Sequence, residues 1–101
     1  MGINAGNLGQ ILQVQGDLAG GRRYAERALM IHAKVYGPEH PTVATSANNL
    51  GQILQAQGDL AGARRYTERA LEILRVVYGA EHPMTITVRN NLKAIELPRV
   101  R

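Results

Sequence analysis

The chain has 101 residues, 45% of them apolar, which is enough for one folded domain with a modest core. It has no cysteine, which excludes disulfides and thiolate metal sites and points to a reducing, cytoplasmic setting. No apolar run approaches the ~18 residues of a membrane span, and no signal-peptide pattern opens the chain. A formal charge of +4 is mildly basic, but neither an aromatic platform nor a nucleic-acid motif accompanies it.

The chain says nearly the same thing twice. The segment Asn7-Leu8-Gly9-Gln10-Ile11-Leu12-Gln13 returns as Asn49-Leu50-Gly51-Gln52-Ile53-Leu54-Gln55, and about two thirds of the full period is identical. A period of about 42 residues is that of a stacked array, which builds extended surfaces rather than enclosed pockets. In chain order, a first helix is predicted over about 3–15 and a second over 18–36. The link Gly37-Pro38-Glu39-His40-Pro41 follows, with proline suited to the first turn of the next helix. The third helix is predicted over about 41–57, where Ala47, Leu50, Ile53 and Leu54 keep helical spacing. Gly58 ends it and Asp59 caps the next. That fourth helix carries Leu60, Ala63, Tyr66, Ala70, Leu71, Leu74 and Val77 along one side and stops at Tyr78-Gly79.

Two glycines, Gly9 and Gly51, recur at one phase inside a helix, at a cost on the order of 1 kcal/mol each relative to alanine. Their recurrence predicts a packing use, a missing side chain that lets the partner helix come close. Gly20, Gly21 and Gly62 are expected to weaken the first turns of their helices. A third copy starts at Thr85 and keeps Asn90-Asn91-Leu92 and Ile95. It places Lys93 and Glu96 where Gly51 and Leu54 stood, positions that would otherwise receive a following helix. The stretch of about 83–97 therefore reads as a capping helix with a polar outer face, ended by Pro98. On this reading the C-terminus is a true end, whereas residues 1–6 offer no cap and leave a trimmed end or a docking surface. The links are too short for crossovers, so neighbouring helices form antiparallel hairpins.

These residues carry a family resemblance. Asn-Leu-Gly in the first helix of each period, Ala63, Tyr66 and Ala70-Leu71 resemble the tetratricopeptide repeat. The long period and the segments at Tyr36 to Pro41 and Tyr78 to Pro83 are similar to the variety found in kinesin light chains. The resemblance implies an all-α, right-handed α-solenoid of about two and a half repeats and five helices. It gives one domain over 1–101: repeat one about 1–40, repeat two about 41–82, the cap about 83–97 and a tail 98–101. The chain departs from the family pattern in having Ala5 and Ala47 where tryptophan is common, and in lacking a proline at the end of the second helix.

No catalytic constellation emerges. His40 and His82 share a phase and read as ties for the links, while His32 stands alone on its helix. Ser46 is the only serine, with no histidine or carboxylate arranged around it. The pairs Arg22-Arg23 and Arg64-Arg65 precede Glu26 and Glu68 at ion-pair spacing. The four tyrosines read as core and link packing. No metal or cofactor is expected.

The asparagines are the functional candidates. Asn7, Asn49 and Asn91 recur once per period, with Asn48 and Asn90 beside two of them. A carboxamide donates and accepts, so a row of them suits the main chain of an extended peptide. Gln10, Gln13, Gln52 and Gln55 extend the polar wall. The resemblance implies that such a row lines a concave groove; the competing reading is that the amides bond only to neighbouring helices. The expected function is noncatalytic protein–protein interaction with a peptide partner. Self-assembly through open repeat ends is the alternative, and nucleic-acid binding by Arg22, Arg23, Arg64 and Arg65 ranks third.

Overall fold

The computed structural model describes residues 18–96. Among them are four helices, α1 (Leu18–Tyr36), α2 (Pro41–Ala56), α3 (Leu60–Val77) and α4 (Pro83–Glu96), and no strand. The helix expected over 3–15 lies outside the described residues. Each helix packs on the next in sequence, and α2 and α3 share the most extensive contact.

The two links are built alike from the same letters. Tyr36 closes α1, and Gly37 follows at φ +98°, a left-handed conformation that costs glycine nothing. The His40 Nδ1 accepts the Thr42 amide at 3.0 Å, making His40 the N-cap of α2, with Pro41 in its first turn. Tyr36 stacks on the His40 ring at 4.8 Å between centroids. In the second link Gly79 adopts φ +97°, the Met84 amide donates to His82 Nδ1 at 3.1 Å, and Tyr78 stacks on His82 at 4.3 Å. The histidines thus tie each helix end to the next helix start. Tyr36 and Tyr78 serve the links rather than the core, and Tyr24 is exposed.

Between α2 and α3 the turn runs through Gly58 at φ +87°. Asp59 Oδ1 then accepts the Gly62 amide at 2.9 Å, capping α3. A Cβ at Gly62 would lie 2.7 Å from Asp59 Oδ2. The glycine expected only to weaken this turn therefore also makes room for its cap.

The core is aliphatic and alanine-rich: Val43, Ala44, Ala47, Leu50, Ile53 and Leu54 from α2 meet Ala63, Ala70, Ile73 and Leu74 from α3. The buried side of α3 is the expected one, shortened at its two ends and joined by Thr67. Thr67 is buried, while Leu60 and Val77 are exposed. Thr67 fits there because position 51 is glycine: a Cβ would come within 2.5 Å of Thr67 Oγ1 and 3.2 Å of the Ala63 carbonyl oxygen. The missing side chain lets α3 seat its Ala63–Thr67 surface directly on α2, the packing use predicted from the repeated glycine.

Antiparallel pairing of α1 and α2 also joins two residues that the sequence left apart. His32 Nδ1 and Ser46 Oγ lie 2.5 Å apart. His32 is therefore not alone, and Ser46 does have a histidine beside it; fourteen residues of chain separate them, and the hairpin closes the gap. Ser46 is 3% exposed, and among the described residues no carboxylate bonds to His32, so the pair ties α1 to α2.

Candidate functional site

Residues 41, 45, 48, 52 and 55 fall at alternating four- and three-residue steps, so they share one side of α2. All five keep access to solvent, while Val43, Ala44, Ser46, Ala47, Leu50, Gly51, Ile53 and Leu54 are buried. The open stripe of α2 is thus Pro41, Thr45, Asn48, Gln52 and Gln55. It carries one hydroxyl and three carboxamides but no charge, and α2 contains no charged residue at all. The same phase continues on α4 as Pro83, Thr87 and Asn90, all exposed.

The two stripes flank a cleft. Asn91 Nδ2 donates to Asn48 Oδ1 at 3.2 Å, joining α4 to α2 across 43 residues of chain. Beside this bond lies a cavity of about 250 Å³ lined by Ala44, Thr45, Asn48, Leu74, Pro83, Met84, Thr87 and Val88. Its floor is the buried Ala44, Leu74 and Val88, and its rim mixes Thr45, Asn48 and Thr87 with Pro83 and Met84. Thr85, fully buried at the start of α4, donates from Oγ1 to the Leu74 carbonyl at 3.3 Å and fixes α4 against α3.

The sequence candidates divide on this geometry. Asn48, Asn90, Gln52 and Gln55 lie on the open stripes. Asn49 is only 9% exposed and already engaged, at the margin of the stripe. Asn91 is half-buried and spends a donor on Asn48, so one amide of the row bonds to a neighbouring helix. Asn7, Gln10 and Gln13 lie outside the described residues. Thr45, Thr87 and Met84 were missed. The signal for the threonines was present: they stand 42 residues apart, one turn before Asn48 and Asn90.

The arginines lie elsewhere. Arg22 pairs with Glu26 at 3.0 Å on α1, Arg65 lies over the Tyr66 ring at 5.3 Å on α3, and Arg23 and Arg64 are exposed. The pairing expected of Arg64 or Arg65 with Glu68 is not among the ion pairs of the described residues, where Arg75 pairs with Glu72 at 2.6 Å. Among the described residues no group of three His, Asp or Glu side chains is placed to hold a metal. No described helix is long and apolar enough to cross a membrane.

Compared with known families, the chain matches the tetratricopeptide repeat over residues 3–75 and again over 43–97. Among curated proteins, none matches it.

Proposed function

Because the chain belongs to the tetratricopeptide repeat family, whose repeats generally mediate protein–protein interaction, we propose that it holds an extended peptide segment along the open stripes of α2 and α4. The four described helices are, on this reading, part of a right-handed solenoid of five, of the long kinesin-light-chain-like variety. The stripes then line its concave wall, and the protein acts in the cytoplasm without catalysis. The observation that supports this most is the uninterrupted polar stripe from Thr45 to Gln55, continued by Thr87 and Asn90 beside an apolar cavity. Carboxamides and hydroxyls match the donors and acceptors of a peptide main chain, and the cavity takes a side chain. Each such bond contributes only about 0.5–1.5 kcal/mol net, so a site of this length is expected to bind at micromolar strength or weaker.

The test is selection of a random dodecapeptide display library against the full chain, followed by binding to a Thr45→Arg/Thr87→Arg variant. Both threonines are exposed, so the variant is expected to fold. Peptides that lose about tenfold in affinity on the variant, ~1.4 kcal/mol, support the groove. Peptides that bind both proteins equally overturn it.

A second reading, self-assembly into a scaffold, is favoured by one observation. Met30, Val35 and Val76 are apolar yet 66–70% exposed. A strict monomer in light scattering at high concentration ends that reading. Nucleic-acid binding through Arg22, Arg23, Arg64 and Arg65 ranks lower, because Glu26, Glu68 and Glu72 are interleaved with those arginines. No binding at low salt removes it.

A further inference from the structure

The distribution of charge across the helices is uneven in a way that bears on what the groove can hold. Every charged residue of 18–77 lies on α1, on α3 or in a connecting segment, and α2 has none. On α4, Arg89 is drawn aside, its Nη1 donating to the Ala80 carbonyl at 3.5 Å. Lys93 stands in the phase of Gly51, on the flank that in α2 packs against α3. The open stripes are left neutral.

A neutral, hydrogen-bonding wall discriminates. A charged side chain laid on it gives up water and finds no counter-ion, an uncompensated desolvation cost. A main chain laid on it exchanges water for amide and hydroxyl partners of matching capacity. The recess between the stripes has Ala44, Met84 and Val88 in its lining, which accommodates an aliphatic group and offers an acid or base no counter-ion. Among the described residues of the two stripes, phosphate, a free carboxylate and an acidic peptide meet no cation.

We infer that the segment bound between α2 and α4 is an uncharged peptide stretch that places one aliphatic side chain in the cavity beside the Asn48–Asn91 bond. The inference rests on the groove reading above and goes further by fixing the chemistry of the partner. Recognition without ion pairs is insensitive to ionic strength, because screening acts on charge–charge terms alone.

The test uses the peptides that lose affinity on the Thr45→Arg/Thr87→Arg variant. Their shared core is expected to lack Asp, Glu, Lys and Arg and to hold one Val, Ile, Leu or Met. Their affinity is expected to change by less than about twofold between ~50 and ~500 mM NaCl. Replacing the aliphatic residue by Asp is expected to weaken binding by about tenfold or more. Groove-dependent peptides with a charged core, or an affinity that falls by more than about tenfold over that salt range, overturn this inference and leave the groove standing. Peptides indifferent to the variant, or a library that enriches nothing, overturn both.

Discussion

Helices α2 and α4 occupy the same phase of the repeat and differ in their surroundings. Helix α2 lies between α1 and α3, whereas α4 packs on α3. Positions that look back toward the preceding hairpin are buried in both: Ser46 and Val88, Val43 and Thr85. Positions that look forward diverge. Ala47 and Leu50 are fully buried and Gly51 is closed over by Thr67, while Arg89 and Leu92 are half-buried and Lys93 is exposed. The chain encodes the neighbour, not merely the helix: small or apolar residues stand where another helix arrives, and cations stand where no described helix does.

The largest effect expected from this comparison is at the leucines. Leu50→Ala empties a fully enclosed site and is expected to cost about 3–4 kcal/mol in urea denaturation. Leu92→Ala, at the equivalent place with one side open, is expected to cost less than about half of that. Equal losses would break the comparison. Next comes Gly51→Ala. In an exposed helix this change gains about 1 kcal/mol from propensity. Here the new methyl meets Thr67 Oγ1 and the Ala63 carbonyl, so a net loss of about 1–2 kcal/mol is expected. Adding Thr67→Ala removes the nearer obstacle and is expected to restore part of the loss. The first repeat already has Ala25 at the phase of Thr67. A double-mutant cycle with no coupling between the two positions would show that the contact is not the cause.

Most of this fold was legible because its determinants are local or repeated. The helix of 18–36 and the breaks at Gly58 and Gly79 follow from spacing and end chemistry, and the close approach at Gly51 follows from a costly residue kept at one phase. What was not legible depends on rotation and on distant chain. The open side of α2 turned out to centre on Asn48, with Asn49 at its margin; a rotation of one residue, about 100°, separates those outcomes. The His32–Ser46 contact needs the α1–α2 hairpin before either residue has a partner. The threonines of the groove were passed over because a hydroxyl on a helix usually signals nothing, and only the burial of their neighbours gives them a role.

The caps provide a control on the comparison, since they are local and the neighbours of α2 and α4 are not. His40→Ala and His82→Ala each remove one acceptor from a first-turn amide and one ring from a tyrosine stack. Each is expected to cost about 1 kcal/mol, and the two costs are expected to agree within a few tenths. Thermal or urea unfolding of the two variants checks this. A large disparity would mean that burial, rather than the link, sets the strength of these caps.

The smallest effect is expected at Lys93, and it addresses the forward flank of α4 directly. If that flank is open to water, the lysine contributes little beyond its own helix propensity, and Lys93→Ala is expected to shift stability by no more than about 0.5 kcal/mol, toward a slight gain. The equivalent change in α2, a methyl at Gly51, runs the other way. Opposite signs at positions 51 and 93 therefore separate a flank that receives a helix from one that does not, independently of how apolar each helix is. A loss above about 1 kcal/mol for Lys93→Ala would mean that the aliphatic stem of the lysine covers apolar surface, and the polar flank of α4 would then be part of the packing rather than its boundary.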